Sequence, residues 1–211
     1  TSPQGAELRA SPIPYRDEPT AADRDHVGKL ALRRQMRPAK VTLRDYDSRL
    51  PADYPLLSGA AARAASREAR LEQFEYAPGA FKCAGEADGS SPSADDRGAS
   101  RSSEALAKEL AGRRLEGYRG DALVLAFETS ANDLAPGVVF AVSGHPRHDL
   151  DEQRGLVVVR SDFEGEHDGR WLHRCEARFA DAPLRPAPRT PRPKVNGVES
   201  ATVVGPAGDE I

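Results

Sequence analysis

The sequence gathers its best candidate metal ligands in one short stretch. GHPRHDLD places His145, His148, Asp149 and Asp151 close together, and imidazoles beside carboxylates are donors that zinc and similar ions accept. A His-x-x-His pair points both rings one way only on a helix. Here Gly144, Pro146 and the β-rich runs on either side predict a hairpin loop, so a solvated loop is the stronger reading and a metal-dependent hydrolase the alternative. His173 and Cys175, two apart on an expected strand, face the same side and could build a metal or thiol site with Cys83 or a second histidine. Free cysteine is among the most buried residue types, which favours packing. Asp45 and Asp47 in RDYD, and Glu164, Glu166 and Asp168 in EGEHDG, are spaced like carboxylate pairs for acid-base or glycosidase chemistry. In polar turns they are expected to be solvated, and the sequence names no partner that would shift their protonation. A phosphate-cradling Gly-rich loop, a nucleophile elbow and an HExxH helix are all missing from the sequence. No catalytic, cofactor-binding or metal residue is therefore assigned, no cofactor is expected, and the chain reads as a non-enzyme.

The elements that would position these residues are mostly strands. Residues 1–25 carry Pro3, Pro12, Pro14 and Pro19 and are expected to be an extended or poorly ordered lead-in, with order beginning near His26. Two strands follow by period-2 alternation: one with Val27, Lys29 and Ala31 on the face opposite Leu30, the next with Val41 and Leu43 opposite Thr42 and Arg44. GAAARAASREARLEQFEY opens with strong helix formers and predicts a helix-to-strand change near Leu71, Phe74 and Tyr76. Residues 84–103 hold almost nothing apolar and predict a surface loop. A helix over 103–116 is signalled by Ser103 before Glu104, Leu106 and Leu110 four apart, Arg113 and Arg114 in the last turn, and Gly117 as its stop. Four β runs follow, ALVLAFET, GVVFAVSG, GLVVVRSDF and RWLHRCEARF, which imply an antiparallel sheet or barrel. From Asp181 to Lys194 five prolines predict a stiff connector, and VNGVESATVVGPAGDEI restarts a strand and turn.

Composition narrows the partners. Thirty basic against thirty-three acidic side chains give a net charge of -3, which offers none of the positive field that nucleic acids or anionic membranes attract. No run reaches the roughly twenty apolar residues of a membrane span, and TSPQGAELRA lacks a signal-peptide core, so a soluble protein is expected. Two cysteines are too few for a disulfide framework and point to synthesis in a reducing cytoplasm.

Read in order, VTLRDYD, Tyr76 with Pro78-Gly79 and Phe81, LAPGVVFAVSGHP, the LVVV strand, RPAPRTPRPKVNG and ATVVGPAGDEI resemble successive landmarks of VgrG spike proteins of the type VI secretion system, over roughly residues 38–211. The chain departs from that pattern at Glu199-Ser200, where members commonly carry Gln-Thr, and at Tyr76-Ala77-Pro78-Gly79, where a YPG turn is usual. The resemblance implies a mainly β, α+β fold: an antiparallel, barrel-like phage tail-hub domain over 26–182, a proline-rich connector over 183–194, and the first strand and turn of a truncated OB-type spike barrel over 195–211. It implies a structural part that forms a homotrimer, caps an Hcp-type tube, and carries a PAAR-type tip protein and effectors through a missing C-terminal part. Assembly is then cytoplasmic, followed by export through the secretion machine, with no nucleic acid involved. A baseplate hub of a contractile phage shares this architecture.

Overall fold

The computed structural model describes residues 9–20, 24–47, 53–64, 67–84, 100–150, 152–167, 169, 171–186, 190, 194, 196–198 and 200, with the backbone alone at 83, 84 and 100–102. In chain order the strands are β1 Ile13–Pro14, β2 Val27–Arg34, β3 Lys40–Arg44, β4 Leu57–Ala61, β5 Glu72–Tyr76, β6 Lys82–Ala84, β7 Ser100–Ser102, β8 Leu123–Thr129, β9 Val139–Phe140, β10 Val142–Ser143, β11 Leu156–Gly165 and β12 Trp171–Phe179, with one α-helix among the described residues, α1, over Glu104–Arg119.

The alternating runs of the second half form a curled, antiparallel half-barrel in the order β2-β8-β12-β11-β9. Along β12, His173, Cys175, Ala177 and Phe179 are buried on one face, as a period of two requires. They meet Leu125 and Phe127 of β8, Leu156 and Val158 of β11, and Phe140, Leu134 and Leu150 from the adjoining segments. On β2 the expected alternation breaks. Lys29 takes a φ of 46°, the ladder with β8 slips between Gly28 and Ala31, and Leu30 and Leu32 pack on the core while Ala31 is exposed. One extra residue in a strand reverses every later side chain, and no hydrophobicity pattern announces it.

Regular structure also begins before His26, contrary to expectation. Ile13 is fully buried, its N–H donates to the Ala141 carbonyl and that of Tyr15 to the Ser143 carbonyl, and β1 pairs in parallel with β10. Pro14 sits between these two donors, where its missing N–H leaves no ladder bond unmade.

The smaller module is a mixed sheet, β4-β3-β5, antiparallel between β3 and β4 and parallel between β3 and β5, with α1 lying across one face. The parallel pairing qualifies the expectation of purely antiparallel strands. The expected helix at GAAARAAS is also corrected: Gly59–Ala61 close β4, a 3-10 turn covers Glu68–Arg70, and β5 follows. Small residues serve close approach here. Ala60 packs into a core with the fully buried Ala107 and Ala111 of α1, and a Cβ at Gly59 would lie 2.9 Å from the Val41 carbonyl oxygen. Pairing with β3 and cover by α1 outweigh a helix propensity of a few tenths of a kcal/mol per residue.

The helix itself starts as predicted, with the Ser103 hydroxyl accepting from the Leu106 N–H at 3.3 Å. It runs past Gly117 to Arg119 because its end is tethered: Arg119 donates to the Pro38 carbonyl at 3.1 Å and pairs with Glu68 at 3.2 Å. The loop expected over 84–103 is framed by the β6–β7 pair, and residues 85–99 lie outside the described residues. Asp181–Pro186 forms no helix or strand, and residues 187–189 and 191–193 of the expected connector and the strand and turn at 201–211 also lie outside them.

Candidate functional site

Among the described residues the ligand-like side chains do not converge. His145 lies half-buried in the loop after β10, its ring 4.4 Å from Tyr15 in an edge-on contact, and its Nδ1 accepts the Arg147 N–H at 3.0 Å. Desolvation there, then the charge of Arg147, hold His145 below the ordinary histidine range. Arg147 also grips Asp149 through two bonds of 2.9 and 2.7 Å, which keeps that carboxyl below its usual range. His148 is exposed, and Asp151 lies outside the described residues. Among the described residues no three His, Cys, Asp or Glu side chains come together as a ligand set.

His173 and Cys175 share a buried face, and the fold adds partners the sequence did not reveal. The imidazole Nδ1 donates to the Ala131 carbonyl at 2.7 Å, so in the neutral ring Nε2 is an acceptor and takes the Ser161 hydroxyl at 2.7 Å. Cys175 Sγ lies 3.1 Å from the same nitrogen, and the Phe163 ring stacks on the imidazole at 3.7 Å. Ser161 stands opposite Cys175 in the β11–β12 ladder, which is why it arrives there. A hydroxyl beside an imidazole is nucleophile chemistry in outline. Here the third member is a backbone carbonyl, the imidazole is 3% exposed, and burial pushes the Cys175 thiol up to about 11. The group is a hydrogen-bonded plug in the half-barrel wall.

The carboxylate pairs separate by role. Glu164 and Glu166 are exposed, Glu164 pairs with Arg174 at 3.0 Å, and Asp168 lies outside the described residues. Asp45 and Asp47, expected to be solvated, are buried. One Asp45 oxygen accepts the N–H groups of Tyr46 (2.7 Å) and Gly79 (2.9 Å), and the other accepts that of Phe81 (2.9 Å). It pins the turn after β5 to the end of β3, two segments more than thirty residues apart. Gly79 has a φ of 83°, the left-handed region that favours glycine.

The surfaces carry more than these clusters do. On the sheet face opposite the buried Val41 and Leu43, Leu57, Arg44 and Tyr76 align in one row and Gly59, Thr42 and Phe74 in the next. Leu57, Phe74 and Tyr76 are all exposed there. Grouped exposed apolar side chains of this kind mark contact faces. The hairpin of β11 and β12 likewise exposes Phe163 and Trp171 at its end.

The described residues thus form a half-barrel and a helix-covered sheet that bears grouped exposed apolar side chains. Residues 2–169 match the phage tail baseplate hub (GPD) family. The chain belongs to that family. The hub chain is also 33% identical over 195 residues to the type VI secretion system spike protein VgrG2a of Pseudomonas aeruginosa, covering 83% of this chain and 20% of that protein. Against VgrG5 of the same organism it is 29% identical over 218 residues, covering 95% of this chain and 25% of that protein. It thus spans about a fifth to a quarter of the length of these curated relatives. The 43 kDa tail protein of prophage MuSo2 from Shewanella oneidensis superimposes with a TM-score of 0.47 at 12% identity, over 82% of this chain and 47% of that one. The resemblance to VgrG spike proteins read from the residues is borne out, and these relatives are named as spike proteins.

Proposed function

We propose that the hub chain serves in a type VI secretion spike, where three copies form the hub at the tip of an Hcp-type tube and help puncture a target membrane and deliver effectors. The observation that carries this reading is the similarity to VgrG2a over 83% of the chain. The physical demands agree: a hub must present wide complementary surfaces to its copies and to the tube, and has no need of a reactive pocket. The outer face bearing Leu57, Phe74 and Tyr76 supplies apolar surface for such contacts. In this reading the chain is not itself an enzyme, and the proline-rich residues 183–194 stiffen the passage into an OB-type barrel, beyond which a PAAR-type tip protein and effectors attach. Assembly takes place in the bacterial cytoplasm and the assembled tip is expelled by the machine.

Deleting the gene in the bacterium that encodes it should stop release of the Hcp-type tube protein, and restoring the gene should return it. The purified natural protein should scatter light as a trimer. Tube release that survives the deletion, together with a monomer in solution, contradicts the proposal. A contractile-phage baseplate hub is the second reading, favoured by the match of residues 2–169 to the phage tail hub family. It requires the protein to co-purify with sheathed particles that carry nucleic acid.

A further inference from the structure

A cleft of about 760 Å³ opens where the helix-capped module meets the outer face of the half-barrel. Val157, Val159 and Arg178 line it on the sheet side, with Tyr118 of α1 and Leu184 on the other. Arg178 alternates with the core-facing Ala177 and Phe179 and stands opposite Val157 in the ladder, so it leaves the sheet on the outer side. The β11–β12 register slips just beyond, between Val158 and Arg160, and such bulges re-aim side chains. The volume lies in the range of ligand sites.

The charges along this seam are unevenly matched. Arg37 is held by Asp121, Arg119 by Glu68 and Arg185 by Glu116. Arg178 is half-buried and pairs with no carboxylate among the described residues, and its Nε is buried with no hydrogen-bond partner there. Gly120, at the end of α1, makes room for it, since a Cβ at that position would lie 3.0 Å from Arg178 Nη1. A guanidinium N–H withdrawn from water without an acceptor costs stability until a ligand supplies one. A carboxylate suits it best, because its two oxygens match the fork of N–H donors.

We infer that this cleft docks an acidic side chain of a partner protein, a glutamate or aspartate beside an apolar residue. The carboxylate pairs with Arg178 while the apolar neighbour covers Val159 and Leu184. A free small carboxylate would satisfy the charge but fill little of the cleft. The inference goes beyond the spike reading and does not rest on it.

The test titrates acetyl-Leu-Glu-Leu-amide into the full chain, with the glutamine counterpart and free 3-methylbutanoate as controls, following the Arg178 Nε–H resonance and the heat of binding. The glutamate peptide should shift that resonance and bind at least about tenfold more tightly than the glutamine peptide. Arg178→Met should abolish binding while raising the melting temperature, because it removes a poorly satisfied buried donor. Gly120→Ala, at a φ of −56° that alanine accepts, should weaken binding by crowding the guanidinium while the fold persists. Equal binding of the two peptides, or binding unchanged in Arg178→Met, overturns the inference. A response to 3-methylbutanoate without one to the glutamate peptide overturns the assignment to a protein partner.

Discussion

The two modules fill their interiors by opposite means. The half-barrel fills its concave side with large side chains from distant parts of the chain, Ile13, Phe127, Phe140 and Phe179 among them. The helix-capped module instead uses small ones at its contact, Ala107 and Ala111 on α1 against Ala60 and Gly59 on β4, and reserves bulk for Val41, Leu43 and Phe81. A sheet closing on itself must fill a wide space, whereas a helix lying on a sheet stabilises by approaching closely. Polar anchors follow the same division. The larger module buries a hydrogen-bonded imidazole, His173, and the smaller one buries the Asp45 side chain, which takes three backbone N–H groups.

If this contrast is right, truncation should hurt the half-barrel most. Phe140→Ala, at a fully buried site, is expected to cost about 3–5 kcal/mol by denaturant unfolding; a loss below about 1 kcal/mol would mean the core is loosely filled. Asp45→Ala strands the Gly79 and Phe81 donors beneath the surface, and about 2–4 kcal/mol should be lost, with hydrogen exchange speeding first at those two amides. Enlargement should hurt the smaller module: Ala111→Leu has no room under α1 and is expected to destabilise by about 1–3 kcal/mol. Were that variant neutral, the close approach of α1 would not be what holds the module.

The next effect is read through pH. Cys175 has its folded pKa raised to about 11 by burial, so its neutral thiol contributes stability fully below the unfolded pKa of about 8.5, and that contribution is lost as pH rises through 11. Relative to Cys175→Ala, the wild type should lose about 2 kcal/mol between pH 8.5 and 11, and its thiol should resist iodoacetamide at pH 8 until unfolded. A parallel pH profile for the two proteins would refute the buried thiol. Smallest of all, Ser103→Ala removes the hydroxyl that caps α1 and should cost about 1 kcal/mol, seen as fraying of the first helical turn.

The strand runs, the capped start of α1 and the hub-family landmarks were all legible in the residues, because period-2 alternation, an N-cap serine and short ordered motifs are local signals. Even the shared face of His173 and Cys175 followed from spacing. Local signals misled where packing overruled them. The alanines after Gly59 promised a helix and became a strand because α1 needed a shallow surface, and Lys29 sat on the wrong side of β2 because a bulge inserted a residue.

By itself, then, the sequence determined the strands of the half-barrel's second half, where the helix starts and which family the chain resembles. Only the tertiary structure decided that Asp45 is a buried staple, that Ser161 and Ala131 satisfy His173, and that Arg178 lines a cleft between modules with its Nε unpartnered among the described residues. Each of those depends on partners dozens of residues away or on the contact of separate elements, and no local pattern encodes a distance across the fold.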